Sequence, residues 1–80
     1  MNVKQIDVIV EAFKRLGGES TYAQLYAEYE KIAGGKLSEG QKAGIRKNIE
    51  DHSSDSANYK GKQDLFYSVY GLGEGVWGLR

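Results

Sequence analysis

The sequence predicts an α+β fold in which three short helices precede a C-terminal β-hairpin. Apolar residues recur at helical spacing in three segments, and each segment begins with a residue that can cap a helix. The last part of the chain, residues 65–80, instead has aromatic and β-branched residues on both sides of a glycine-rich tip. With 80 residues the chain is long enough for one small core, so we expect a single domain over 1–80.

The first helix is predicted over residues 3–16. Asn2 is followed three residues later by Gln5, which is a capping-box pattern, and Gly17-Gly18 provide a left-handed stop. The apolar residues of this segment recur at i, i+3, i+4 and i+7 and form one stripe: Val3, Ile6, Ile9, Val10, Phe13 and Leu16.

The second and third helices begin with the same signal. Thr21 precedes Gln24 by three residues, and a tyrosine-rich stripe then continues to a stop at Gly34-Gly35. Ser38 precedes Gln41 in the same way, and the third helix is predicted to run to about residue 52.

The C-terminal segment is predicted to be a hairpin with arms at 65–70 and 76–79. In the first arm Leu65, Tyr67 and Val69 would share one face, and Phe66, Ser68 and Tyr70 the other. An isolated hairpin is marginal in water, so we expect it to pack on the helices through Trp77. The predicted core comprises Ile6, Ile9, Val10, Phe13, Leu25, Tyr29, Ile45, Ile49 and Trp77.

Three helices followed by a hairpin are typical of a winged helix with a helix-turn-helix core. In such a domain the third helix enters the DNA groove. Here that helix has only two aliphatic anchors, Ile45 and Ile49, while small and basic residues face away from them. We expect Gly40, Ala43 and Gly44 to let the backbone approach DNA, and Arg46 and Lys47 to reach base edges or phosphates. The alternative is that the glycines merely weaken a surface helix.

The segment after the third helix is polar and predicts a surface loop. Ser53, Ser54 and Ser56 have short hydroxyl donors suited to phosphate oxygens, and Lys60 and Lys62 flank a glycine before the hairpin. The alternative is a local network in which Asp55 and the serines satisfy backbone groups. Asp55 belongs to that network, because a carboxylate repels phosphate.

Charge and composition limit the function classes. Eleven basic and eleven acidic side chains give zero net charge, which argues against indiscriminate attraction to nucleic acid. Residues 36–62 nevertheless carry six basic and four acidic side chains, an excess of two. The chain has no Cys, no apolar run of membrane-spanning length and no signal-peptide pattern, so we expect a cytoplasmic protein without a membrane partner.

Nothing in the sequence predicts catalysis, a cofactor or a metal site. His52 is the single histidine, and no base or acid is spaced to form a relay with it, so we expect it either to close a core face or to bond a carbonyl at the helix end. The glycine-rich segment 71–75 lacks the Lys-Ser/Thr pair of a phosphate loop. Tyr22, Tyr26 and Tyr29 fit a core stripe, whereas Tyr59, Tyr67 and Tyr70 remain candidates for base stacking.

Three segments resemble a winged-helix module found at the N-terminus of bacterial restriction endonucleases of the HNH and Mrr types. They are the HSSDS run at 52–56, DLFYSV at 64–69 and GVWGLR at 75–80; the Gly17-Gly18 link and Ile45-Arg46 also fit. The resemblance implies a prokaryotic reader of duplex DNA, including DNA with modified bases, that works with a fused or associated nuclease domain. It implies contacts from Lys42, Arg46, Lys47, Ser53, Ser54, Ser56 and Lys60. The chain has no HNH triplet and no carboxylate-lysine nuclease pattern, so cleavage is not implied.

The sequence is compatible with four functions. The chain can be a reader domain of a restriction system or a small regulator, both of which bind duplex DNA. It can instead be a winged helix that binds protein, or a phage-encoded inhibitor of a defence system. The zero net charge and the six tyrosines favour the protein-binding alternative.

Overall fold

The computed structural model describes residues 4–56, 59, 61, 63–71 and 75–80. Within them it has an α+β fold of three helices and one three-stranded antiparallel sheet, which confirms the predicted class. In chain order the elements are α1 (Gln5–Arg15), β1 (Glu19–Thr21), α2 (Tyr22–Ala33), α3 (Glu39–Asp51), β2 (Phe66–Ser68) and β3 (Val76–Leu79).

Helix α1 begins later than predicted. Its N-cap is Lys4, which has extended backbone and makes no capping hydrogen bond through its side chain. The expected capping box at Gln5 is therefore wrong: the Gln5 side chain accepts a hydrogen bond from Asn48 Nδ2 and joins α1 to α3. Asn2 lies outside the described residues. The predicted stop is confirmed, since Gly17 and Gly18 have φ of 87° and 97° and the Gly18 amide donates to the Phe13 carbonyl at 2.8 Å.

Both other capping boxes are confirmed. Thr21 Oγ1 accepts from the Gln24 amide at 3.2 Å, and the Gln24 side chain accepts from the Thr21 amide at 3.2 Å. Ser38 and Gln41 make the same pair at the start of α3, at 3.1 and 2.8 Å. Each pair satisfies backbone donors that a helix N-terminus leaves unpaired.

The sheet contains a strand that the sequence did not reveal. β2 and β3 pair antiparallel, which confirms the predicted C-terminal hairpin, but β1 also pairs with β3, so the hairpin belongs to a three-stranded sheet of order β1-β3-β2 with β3 at its centre. Three polar residues, Glu-Ser-Thr, give no alternation of apolar and polar positions to recognise. The first hairpin arm is also shorter than predicted, with regular strand at 66–68, although the Val69 amide still donates to the Val76 carbonyl at 3.1 Å.

A row of three residues crosses the outer face of the sheet. Gly78 on the central strand is paired with Glu19 on one side and Tyr67 on the other. The Tyr67 ring lies over Gly78, and its hydroxyl donates to Glu19 Oε2 at 2.8 Å. This hydrogen bond raises the pKa of Tyr67, followed by burial and the charge of Glu19. A glycine in the central strand thus leaves room for a side chain that links both outer strands.

The core lies between the helices and the inner face of the sheet. Seven of the nine predicted core residues are buried, whereas Ile6 and Val10 are only partly buried at its margin. The sequence prediction missed Val8, Ala12 and Phe66; the Phe66 ring lies 5.2 Å from that of Phe13. The predicted burial of Trp77 is confirmed, with 5% of its surface exposed. The confirmed members are Ile9, Phe13, Leu25, Tyr29, Ile45, Ile49 and Trp77.

Candidate nucleic-acid interface

The outward stripe of α3 consists of Gly40, Ala43 and Lys47. Ile45 and Ile49, on the opposite side of the helix, are fully buried, while the three stripe residues are exposed. Residues at i, i+3 and i+7 share one face of a helix. A Cβ placed on Gly40 would meet only Ser38 Oγ within 4 Å, at 3.9 Å. The stripe is therefore a shallow, open surface whose one long side chain is that of Lys47.

Gly44 faces a different neighbour from the one expected. A Cβ at this position would lie 3.4 Å from Gln5 Oε1 and 3.5 Å from Gln5 Nε2. The expectation that Gly44 lets α3 approach DNA is therefore wrong, because the residue faces the first turn of α1. Together with the hydrogen bond from Asn48 to Gln5, it sets the contact between these two helices.

Beside the stripe, two tyrosines of α2 contact two cations of α3. We call Tyr22, Tyr26, Lys42 and Arg46 the tyrosine–cation cluster. Arg46 Nη1 donates to the Tyr26 hydroxyl at 3.0 Å, and Lys42 Nζ lies 5.6 Å from the centre of the Tyr26 ring. The Tyr22 and Tyr26 rings are stacked, with centroids 6.0 Å apart and planes 17° from parallel. Both rings are half-buried, so only Tyr29 of the predicted tyrosine stripe is a full core residue.

The protonation of this cluster keeps it cationic at neutral pH. Burial raises the pKa of Tyr22 to about 12, the charge of Glu50 adds to the effect, and a hydrogen bond from the Trp77 indole opposes it. The pKa of Arg46 is raised above its ordinary value, first by the hydrogen bond to Tyr26. Tyr22 therefore stays neutral and Arg46 stays charged under any physiological condition.

The loop after α3 does not present all its serines to solvent. Ser53 is fully buried and Ser56 is buried, so the predicted exposure of these two serines is wrong and neither hydroxyl lies on the surface expected to meet phosphate. Asp51 at the end of α3 is buried as well, and its Oδ1 and the Ser53 Oγ have no hydrogen-bond partner within the described part of the chain. The polar composition of this segment predicted that it would be exposed, but in the structure Ser53 and Ser56 face the interior.

Ser54 is exposed, but it is engaged in a network that we call the Arg80 clasp. Its hydroxyl donates to Asp64 Oδ2 at 2.6 Å and its amide donates to Asp64 Oδ1 at 2.9 Å. Arg80 forms ion pairs with Asp64 at 3.0 Å and with Asp55 at 3.1 Å, and Nε also donates to the Phe66 carbonyl. The bonds from Ser54, with a smaller part from Arg80, lower the pKa of Asp64.

Asp55 and His52, on either side of Ser53 and Ser54, make local hydrogen bonds. Asp55 Oδ2 accepts from the Ser68 amide at 2.8 Å, as expected of a residue in a local network. The His52 ring bonds the Asn48 carbonyl through Nδ1 at 2.8 Å, and the His52 carbonyl accepts from the Leu65 amide at 2.7 Å. The predicted role of His52 at the helix end is confirmed. Lys60 and Lys62 lie outside the described residues.

The remaining tyrosines differ in availability. Tyr70 has 73% of its surface exposed, whereas Tyr67 is held over Gly78 by its bond to Glu19.

In the part of the chain that the structure describes, no group of three His, Cys, Asp or Glu residues could hold a metal ion. The helices described there are also too short or too polar to cross a membrane.

The structure places the candidate interface residues differently. The structure brings Ala43, Lys47, Lys42 and Arg46 together on α3, as the sequence predicted, and removes Ser53 and Ser56. It adds Tyr26, which the sequence analysis had placed in the core.

Comparison with protein-family models, with curated proteins and with solved structures gave no match to this chain.

Proposed function

We propose that this chain is a winged-helix module that binds duplex DNA by inserting α3 into the major groove. The order of the elements, a first strand between α1 and α2 followed by a hairpin after α3, supports this assignment. So does the sheet order, in which the last strand lies between the other two. Such a fold supplies a helix pair and a wing, and its function depends on the residues that α3 presents.

The observation that carries the proposal is the exposed stripe of α3 with cations on it and beside it. Gly40 and Ala43 let a helix backbone lie close to base edges, and the Ala43 methyl suits the methyl group of thymine. Lys47 is exposed and suits a phosphate; Arg46 suits the O6/N7 edge of guanine. The zero net charge argues against strong general attraction to DNA, so binding depends on this surface.

In this proposal the chain reads DNA and a separate domain or partner acts on it. The module resembles the readers of restriction nucleases in the segments quoted above, and we propose duplex DNA with or without base modification as its ligand. We also propose that the chain has no catalytic activity of its own: His52 is occupied at the helix end. Incubating the protein with plasmid and magnesium, manganese or zinc tests this, and nicking that disappears in His52→Ala would contradict it.

Two alanine substitutions on α3 test the interface directly. Gly40→Ala and Gly44→Ala change the same residue type in the same helix, and each should stabilise the fold by up to about 1 kcal/mol through helix propensity. Only Gly40 lies on the outward stripe. We therefore expect Gly40→Ala to weaken duplex binding in a fluorescence anisotropy titration and Gly44→Ala to leave it unchanged. Equal affinity of the two variants would contradict the proposed interface.

A protein-binding function is the second candidate, and the exposed ring of Tyr70 favours it. Large aromatic residues are enriched in protein interfaces, which depend much less on salt than phosphate contacts do. If the chain binds a protein through the hairpin, Tyr70→Ser should weaken that binding, and the affinity of the wild type for the protein should change little with salt.

A further inference from the structure

We propose that Tyr26 on α2 is a positioning residue that orients both Arg46 and Lys42 of α3 for DNA. The inference rests on the proposed function of the α3 surface and assigns part of its specificity to the neighbouring helix. Three contacts support it: a hydrogen bond to Arg46, a cation–π contact with Lys42 and a stacked ring, Tyr22, behind it.

The bond to Arg46 leaves the guanidinium able to read a base. Arg46 Nη1 donates to the Tyr26 hydroxyl at 3.0 Å. A guanidinium has five N–H donors in a planar fork, so the edge formed by Nε and Nη2 remains available for a bidentate contact. The hydroxyl fixes the plane of the fork before DNA arrives. An unrestrained arginine would lose rotamer freedom on binding DNA. Arg46 has already lost that freedom in the free protein, so the entropic cost of binding is lower.

The contact with Lys42 works through the ring and not through the hydroxyl. Lys42 Nζ lies 5.6 Å from the centre of the Tyr26 ring and 3.6 Å from Glu39 Oε1, so its amine lies between an aromatic face and a carboxylate. Its side chain is 29% exposed. One tyrosine thus holds two cations by two separable chemical features, which a pair of substitutions can distinguish.

The position of the Tyr26 ring is supported by the neighbouring ring of Tyr22. The Tyr26 ring stacks on that of Tyr22, and both rings pack against the buried core. The stacked pair therefore connects the core to Arg46 on α3. Rigid support of this kind is what a residue that selects a base needs, because a loosely held arginine contacts many sequences equally.

Two variants of Tyr26 separate its two roles. Tyr26→Phe removes the hydroxyl and keeps the ring, so it should release Arg46 and retain Lys42. Tyr26→Leu removes both features. Tyr22→Phe is the matched control, since it deletes the same atom from the neighbouring tyrosine, which does not bond Arg46. Circular dichroism should show each variant folded before binding is measured.

The first readout is NMR of the Arg46 guanidinium in the free protein. In the wild type and in Tyr22→Phe we expect hindered rotation and resolved Nη resonances; in Tyr26→Phe we expect a single averaged signal. The second readout is selection from a duplex library randomised over its central base pairs. A bidentate arginine–guanine pair discriminates on the order of 10- to 100-fold, and Tyr26→Phe should lose a several-fold part of it with an unchanged salt slope. Tyr26→Leu should also lower the slope.

The outcomes distinguish this inference from the proposed function. If the wild type selects a sequence and Tyr26→Phe changes neither the Arg46 signals nor the selection, Tyr26 is a packing residue and the inference is overturned while DNA binding stands. If Tyr26→Phe frees Arg46 but no duplex binds the wild type at low salt, the proposed function fails and the assignment of Tyr26 to DNA reading fails with it. The inference is supported if Tyr26→Phe, but not Tyr22→Phe, loses both the restrained rotation of the Arg46 guanidinium and the base selectivity.

Discussion

Replacing Gly78 with alanine should destabilise the sheet, although alanine is otherwise the better residue in a strand. A Cβ at this position would lie 2.5 Å from Tyr67 Cε1, 2.6 Å from Cζ and 2.9 Å from the hydroxyl oxygen. Carbon atoms at their optimal separation are about 3.5–4.0 Å apart, so the ring would have to move by roughly 1 Å. That movement would stretch the bond to Glu19, which is 2.8 Å long, and shift the ring from Arg80.

The magnitude follows from two opposing effects. Overpacking typically costs about 1–3 kcal/mol, and replacing a strand glycine with alanine returns about 0.5–1 kcal/mol of backbone entropy. We therefore expect Gly78→Ala to lower the free energy of unfolding by about 1–2 kcal/mol. In a domain of this size each kcal/mol corresponds to about 4–8 °C in Tm. Urea denaturation followed by Trp77 fluorescence measures the effect.

A double-mutant cycle identifies the ring as the cause. In a Tyr67→Ala background the clash is gone, so Gly78→Ala should be neutral or slightly stabilising. A neutral Gly78→Ala in the wild-type background, or the same loss of stability in both backgrounds, would refute the reasoning.

Three further predictions concern stability. Trp77→Ala should cost about 3–5 kcal/mol because the indole is buried, and a urea midpoint close to that of the wild type would contradict its place in the core. Ser53→Ala should be neutral or stabilising and leave DNA affinity unchanged, because the buried Ser53 hydroxyl has no hydrogen-bond partner among the residues that the structure describes, and an unpaired buried hydroxyl opposes folding. A marked loss of stability in thermal denaturation would contradict this prediction. The pKa of Asp64 is lowered in the folded protein, first by the hydrogen bonds from Ser54 and in smaller part by Arg80. The ionised carboxylate therefore stabilises the fold fully at pH values above the ordinary pKa of 3.8, and this contribution is lost as the pH falls through the lower folded pKa. Asp64→Asn should remove that part of the acid dependence in urea titrations below pH 5, and an unaltered profile would argue against the clasp.

Much of the fold could be predicted from local signals. The Thr21 and Ser38 capping boxes and the paired glycines act through neighbours along the chain, so the sequence contains them. β1 could not be predicted, because Ser20 is buried opposite Trp77 only after residues far apart in the chain have paired. The start of α1 was misplaced for the same reason: Gln5 has a long-range partner, Asn48, which competes with the local cap.

The interface was predictable only in part. Helical periodicity placed Ala43 and Lys47 on the outward stripe correctly, since it depends on spacing alone. The contact between Tyr26 and Arg46 joins residues 20 positions apart, and no spacing rule predicts it. Composition misplaced Ser53, because a run of small polar residues reads as an exposed loop even where the chain turns inward.

The salt dependence of duplex binding by Lys47→Ala tests the central claim most directly. For a phosphate contact, log affinity falls linearly with log salt, and removal of one contact should reduce the slope by about one unit. Lys14→Ala is the matched control, because it removes the same charge from an exposed position on α1. We expect Lys47→Ala to weaken binding at low salt with a shallower slope, and Lys14→Ala to retain the wild-type slope. Identical slopes for all three proteins, or no duplex binding by the wild type at low salt, would contradict binding through α3.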